Sequence, residues 1–254
     1  MNKDQPMTDN SDNTPQNRFN PMERGSMLPS SNPIVAQDLH FRYELDASLP
    51  PVLDGVSLTL GAGEWTLLCG PSGSGKTTLL SLIGGLRNMQ AGKLSVLGQS
   101  LQASNETALT ALRRHIGFIF QDHHLFDVLS ARETLQLTMQ LHADRYTQED
   151  FLKRPVSMLE TVGLASRMDV LPNKLSTGQR QRVAVARALI NDPAIILADE
   201  PTASLDPLSA SITLDCLAAA KKRGATILMI SHDDRHTRLA DRQLQMQDGR
   251  IIDG

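Results

Sequence analysis

No run of apolar residues in this 254-residue chain approaches the ~18 to 20 needed to cross a bilayer as a helix, so any membrane role has to come through a partner. A surplus of positive charge is also missing. The formal net charge is -3, which argues against a dedicated nucleic-acid binder, because such domains are usually basic; no direct nucleic-acid partner is expected. Cysteine is nearly absent. The two that occur, Cys69 and Cys216, make neither a disulfide framework nor a metal site. One closes an apolar strand and the other sits in an apolar helical stretch, so both are expected as buried thiols in a reducing compartment. The first residues lack the apolar stretch of a secretory signal, and nothing there is expected to direct the chain out of the cytoplasm. No internal repeat is visible.

What remains is the material of a globular protein. With 40% hydrophobic and 21% charged residues, the chain can fill one large or two small cores. Residues 1–33 are rich in Asn, Asp, Pro and Ser, have no apolar periodicity, and are expected to form a disordered tail. The domain is expected over residues 34–254, where β-rich runs alternate with helical ones. "GEWTLLCG", "AIILAD" and "ATILMI" read as buried strands, and "GKTTLLSLIGGL" as a helix. Continuous apolar strands bounded by helices predict an α/β fold with a mainly parallel sheet covered on both faces. Between Gln121 and Leu175 the strand signal vanishes, while Ser130 with Glu133 and Thr147 with Asp150 mark two helix starts. A helical subdomain over roughly residues 122–180 is therefore expected inside the domain. "LQMQDGRII" carries an Asp248-Gly249 pair suited to a tight hairpin turn, and Asp206-Pro207 opens a helix that Gly224 is placed to end.

Chemistry enters at "GPSGSGKTT", which matches G-x-x-x-x-G-K-[ST] between a strand and a helix, the context a phosphate-binding loop of Walker A type requires. The whole stretch, Gly70, Pro71, Ser72, Gly73, Ser74, Gly75, Lys76, Thr77 and Thr78, is assigned to nucleotide binding. Its glycines let successive backbone N–H groups converge on phosphate oxygens, Lys76 adds positive charge, and the Thr77 hydroxyl is a ligand for Mg²⁺. "IILADEP" supplies the complementary groups: Asp199 at the end of a strand for the metal shell, and Glu200 beside it as general base for the attacking water. Gln121, after "IGFIF", is expected to reach the metal and the water, and His232, after "ATILMIS", the γ phosphate; both are counted with Glu200 as catalytic.

A second anion site is written at "LSTGQRQR". Ser176 as N-cap and Gln179 three residues on form a capping box, so this helix start presents backbone N–H groups and a partial positive charge. One chain rarely needs two sites for one phosphate. Taken together and in order, Tyr43, "GPSGSGKT", Gln121, "LSTGQ", "ILADEP", "SLD" and "SHD" resemble the ATP-binding cassette family over nearly all of residues 34–254. That resemblance implies a P-loop NTPase fold with a mainly parallel core, an antiparallel β portion and a helical insertion. It implies ATP and Mg²⁺ as cofactors, ATP hydrolysis coupled to transport, and a head-to-tail dimer with a second copy of the cassette. In such a dimer each ATP lies between one subunit's phosphate loop and the other's LSGGQ-type helix start, so Ser176, Gly178 and Gln179 serve the partner's nucleotide. Tyr43 resembles the aromatic that stacks on adenine, standing just before the first strand, and Asp206 resembles the residue bridging the two active sites. Thr177 departs from the family's usual glycine.

Within the family, "RRHIGFIFQDHHLF" and "LADEPTASLD" look most like cassettes of the lipoprotein-releasing, macrolide-exporting and glycolipid-exporting group. Those pair with an integral membrane permease, which places the chain at the cytoplasmic face of the inner membrane, peripheral through that partner. The same motor is compatible with gating of cell-envelope remodelling instead of transport. A soluble cassette ATPase on nucleic acid or ribosomes fits less well, because that class usually carries two cassettes or a long coiled-coil insertion. The adjacent His123 and His124 are expected to be partly exposed near the permease-facing groove, not a metal site.

Overall fold

The computed structural model describes residues 31–43, 50–102, 104–203 and 205–253. The chain enters through an antiparallel pair, β1 (Ile34–Phe41) and β2 (Leu53–Leu60), and continues into β3 (Trp65–Cys69) and helix α1 (Lys76–Ile83). Two short strands, β4 (Ala91–Val96) and β5 (Gln99–Ser100), lead to α2 (Glu106–Arg113) and β6 (Ile116–Ile119). Then come α3 (Ala131–Gln140), α4 (Gln148–Thr161) and α5 (Thr177–Leu189), followed by β7 (Ile195–Asp199), α6 (Pro207–Lys222), β8 (Thr226–Ile230), β9 (Arg242–Gln247) and β10 (Arg250–Asp253). The strands form two sheets, in the orders β2-β1-β4-β5 and β10-β9-β3-β8-β7-β6. The first is antiparallel; in the second every pairing from β9 to β6 is parallel, and β10 alone runs against its neighbour.

The central strands β3, β8 and β7 of the larger sheet are buried on both faces, and strand periodicity sorts their residues between two cores. On β8, Leu228 and Ile230 pack with α1 and the antiparallel sheet, while Ile227 and Met229 pack with the helices α3 to α6. β7 follows the same rule, Ile195 and Leu197 on one side, Ile196 and Ala198 on the other. Its last residue, Asp199, therefore falls on the α1 side. This alternation delivers a carboxylate to the helix that follows the phosphate loop.

Helix starts form where the sequence signals them. Ser130, Thr147 and Ser176 each make both bonds of a capping box, and Asp206 caps α6 with Pro207 at its first position. Gly224 takes φ 96° just past the end of α6, and Asp248 and Gly249 turn β9 into β10 at φ 48° and 76°. Among the described residues, only helices and turns lie between β6 and α5.

Some expectations are corrected. Ordered bonding begins inside the tail as drawn from the sequence, because the Ser31 carbonyl accepts the Ala62 N–H at 3.1 Å and the buried Pro33 carbonyl accepts that of Leu97 at 2.7 Å. The rest of that tail lies outside the described residues. Tyr43 follows the first strand instead of preceding it; Asp38 at φ 51° breaks the alternation of β1 and hides that strand from a periodicity reading. Cys216 is buried, whereas Cys69 is half-buried, since it is the residue at which β3 gives way to the phosphate loop.

Gly117 sets how closely α5 can lie on β6. A β-carbon there would stand 2.5 Å from the Ala188 carbonyl oxygen, a contact with backbone that no side-chain rotation relieves. Gly117→Ala is expected to destabilise the fold by about 1–3 kcal/mol, read as a lower urea midpoint at unchanged m-value. An unchanged midpoint counts against this packing.

Candidate active site

Because β3, β6, β7 and β8 are parallel, their carboxyl ends share one edge of the sheet. The phosphate loop, Gln121, Glu200 and His232 all leave from that edge, and they border a common cleft of about 380 Å³.

The loop fits its place only because of glycine. A β-carbon at Gly70 would lie 2.0 Å from the Met246 carbonyl oxygen, and one at Gly75 would lie 2.5 Å from that of Val52. Both residues have positive φ, 143° and 101°. Lys76, only 6% exposed, folds back along the loop and donates to the carbonyls of Gly70 at 2.7 Å and Pro71 at 2.8 Å, with Ser74 Oγ at 3.5 Å. Burial pushes its ammonium pKa down, against the pull of Glu200 and Asp199. The next residue, Thr77, donates its hydroxyl to Asp199 Oδ2 at 2.7 Å. Burial raises the Asp199 carboxyl, and the Thr77 bond opposes that. Ser72, Gly73 and Thr78 also border the cleft, whereas Ser74 is buried beneath it; Gly70 and Pro71 line a separate recess beside the loop together with Cys69.

Glu200 stands in a left-handed conformation, φ 46°, immediately after β7, and its N–H bonds the Ile230 carbonyl at 3.0 Å. The turn carries its carboxylate away from the sheet to meet His232 Nε2 at 3.0 Å. Gln121 is exposed at the cleft's rim. Tyr43 closes the other end. Its hydroxyl bonds Thr78 Oγ1 at 2.8 Å, Phe41 meets its ring edge-on, and the Arg87 guanidinium lies 4.7 Å from its centroid. At 57% exposed, the ring still borders the cleft, which Arg87 does not.

Beyond the phosphate loop, four expected residues lie away from this cleft: Ser176, Gly178, Gln179 and Asp206. They gather at the adjoining starts of α5 and α6. Ser176 Oγ accepts the Gln179 N–H at 3.2 Å and Gln179 Oε1 accepts the Ser176 N–H at 3.0 Å. The Asp206 carboxylate accepts from Ser209 N–H at 2.9 Å and from Ser209 Oγ at 2.6 Å, bonds that hold its carboxyl below the usual range. Gly178 joins the two starts, for a β-carbon there would lie 2.7 Å from Ser209 Oγ and 3.1 Å from Asp206 Oδ2.

The sequence reading missed the groups that tie these pieces together. Gln181, buried on α5, donates to the Pro201 carbonyl at 3.0 Å, one residue past Glu200. Arg187, also on α5, donates to the carbonyls of His123 and His124, which stand at φ 62° and 46° in the loop after Gln121. Arg187 had a signal, an arginine inside the apolar run Val183–Leu189, whereas Gln181 lies in a polar stretch between two arginines and had none. His124 is exposed and His123 half-buried, and no cluster of three metal-ligating side chains occurs among the described residues.

Residues 53–203 match the family described as ABC transporter. The lipoprotein-releasing system ATP-binding protein LolD of Psychrobacter arcticus is 40% identical over 218 residues, 85% of this chain and 96% of that protein. The macrolide export ATP-binding/permease protein MacB of Chlorobaculum tepidum is 39% identical over 212 residues, 83% of this chain and 32% of that protein, so the chain spans about a third of such relatives. Among solved structures, the dimeric post-hydrolysis state of the ATP-binding cassette MJ0796 bound to ADP and Pi gives a TM-score of 0.81 at 32% identity, covering 86% of this chain and 96% of that one.

Proposed function

Since the chain belongs to the ABC transporter family, we propose that it is an ATP-binding and ATP-hydrolysing subunit that powers a membrane permease of the lipoprotein-releasing or macrolide-export type. The observation that carries the reading is the division of the site: Lys76, Asp199, Glu200 and His232 share one cleft, while the capped start of α5 lies outside it. A nucleotide in the cleft leaves its γ phosphate facing outward, where the Ser176 helix start of a second copy, head to tail, completes the enclosure.

In this site the phosphates lie on the N–H groups of residues 72–78, and Lys76 exchanges its carbonyl partners for phosphate oxygens. Thr77, Asp199 and Gln121 offer hydroxyl, carboxylate and amide oxygens, a donor set that suits Mg²⁺. When bound, that ion neutralises charge on the β and γ phosphates. Glu200 takes a proton from the attacking water as the bond between the γ phosphorus and the bridging oxygen breaks, giving ADP and phosphate. His232 donates to Glu200 in the structure and turns toward the γ phosphate in the closed site. Tyr43 receives the adenine on the face that Arg87 leaves open, and Asp206 of each copy faces the other site.

Among the described residues no helix is long and apolar enough to cross a membrane, so the permease has to be a separate polypeptide or segment. Its contact is placed on the loop after Gln121, where Phe126 is 63% and Val128 81% exposed. Side chains this apolar on a loop that bears a metal ligand fit a partner surface. The chain is thereby held at the cytoplasmic face of the inner membrane. Val128→Asp is expected to leave ATP affinity within about twofold of wild type and to reduce the fraction that sediments with membranes when the permease partner is co-expressed. Undiminished sedimentation removes this contact, and absence of Mg²⁺-dependent ATP hydrolysis in the full chain with its permease removes the function.

A further inference from the structure

His236 takes no part in the chemistry above, yet it is 4% exposed and lies directly behind it. Its Nδ1 is 2.7 Å from Ser231 Oγ, which also accepts the Asp233 N–H at 3.0 Å. On the other side of the ring, Nε2 is 3.5 Å from Thr202 Oγ1 and 3.8 Å from Asp233 Oδ2. Ser231 and Asp233 flank His232, and Thr202 stands just beyond Glu200. One imidazole thus spans the two segments whose side chains, His232 and Glu200, meet at 3.0 Å.

We propose that His236 is a positioning residue for hydrolysis: it fastens the turn that carries His232 to the segment after Glu200, and so sets the approach that aims the carboxylate at water. The proposal rests on the reading of Glu200 as general base. A base works only within hydrogen-bond reach of the proton it removes, and Glu200 is mounted on a single left-handed residue between a strand and a turn. Its own backbone fixes where it leaves the sheet; the direction of its carboxylate depends on what holds His232. The Ser231 hydroxyl anchors that turn from within, and the ring is its partner on the far side. An apolar side chain at position 236 would occupy the same space while making neither bond, which separates filling from fastening.

The test uses the full chain with His236→Leu and His236→Asn, beside Glu200→Gln and His232→Ala as references. Leucine keeps the volume; asparagine places an amide near the Nδ1 position and keeps the Ser231 bond. His236→Leu is expected to lower kcat about tenfold with KM for ATP within about twofold and the melting temperature not reduced, and His236→Asn to recover little of the loss, because it keeps the Ser231 bond without the reach to Thr202. In the His232→Ala background the leucine change adds little, because the ring acts through His232. Wild-type kcat in folded His236→Leu overturns the inference. So does an equal loss with and without His232, or a fall in kcat that tracks a fall in melting temperature in both variants. If Glu200→Gln itself turns over at the wild-type rate, the general-base reading fails instead, whatever His236 does.

Discussion

Replacing Glu200 by glutamine is expected to preserve ATP binding and to slow hydrolysis by about 10² to 10⁴-fold. Glutamine keeps the length and shape of the side chain, and its amide oxygen still accepts the His232 Nε2–H that lies 3.0 Å from the carboxylate. It cannot take a proton. The neighbouring Thr77–Asp199 bond and the Lys76 contacts are untouched, since they lie on the α1 side of the strand. The variant should therefore load ATP, close, and stay closed, accumulating as an ATP-bound dimer by light scattering. Phosphate release is the decisive measurement. Turnover within a few-fold of wild type removes Glu200 from the role of base.

The second large effect is complementation between two damaged copies. Lys76→Ala removes the buried ammonium from the phosphate loop and is expected to abolish tight ATP binding at that copy's own loop. Ser176→Arg fills the exposed start of α5 with a long side chain and blocks the face offered to the other copy. It also removes an N-cap worth about 1 kcal/mol, so folding is checked by circular dichroism. Each variant alone is expected to lose nearly all hydrolysis. In a mixed dimer both lesions fall in one composite site and the other site is intact. With random pairing and independent sites, an equal mixture recovers about a quarter of wild-type activity. ATP trapping is recorded beside hydrolysis, because an intact site that needs its twin to turn over still traps. If each helix start served its own chain, every site would carry one lesion and nothing would recover. A mixture with confirmed subunit exchange that neither traps nor hydrolyses defeats the shared-site reading.

How much of this was legible in the sequence differs from part to part. The parallel strands were, because β7 and β8 are buried on both faces and read as unbroken apolar runs. So were the helix starts, where Ser130, Thr147 and Ser176 each carry their capping partner three residues on. The antiparallel sheet was not localised, because β1 and β4 mix exposed and buried positions and β1 is bulged at Asp38. Helix α2 escaped as well, being only two turns long with an Asn105 cap and two buried leucines. At the site, motif residues could be named in advance, since glycine, lysine and paired carboxylates at fixed spacing admit few uses. Their supports could not: Gln181 and Arg187 bond carbonyls of other segments, and His236 reaches the Thr202 hydroxyl from the segment after β8. Those partners become neighbours only when strands far apart in the chain are side by side.

The place of β3 in its sheet has a consequence for the protein's birth on the ribosome. β3 lies between β8 and β9, two of the last strands to be made, and the bond from the Trp65 N–H to the Asp241 carboxylate joins positions 176 residues apart. At ordinary rates of synthesis that separation corresponds to roughly 10 to 35 s. For nearly all of that interval the phosphate loop exists as sequence but lacks β8, and beyond its end it still lacks β9, including the Met246 carbonyl against which Gly70 is fitted. A growing chain therefore cannot hold nucleotide until its closing strands arrive, so the capacity to bind ATP is also a record that the domain has been finished.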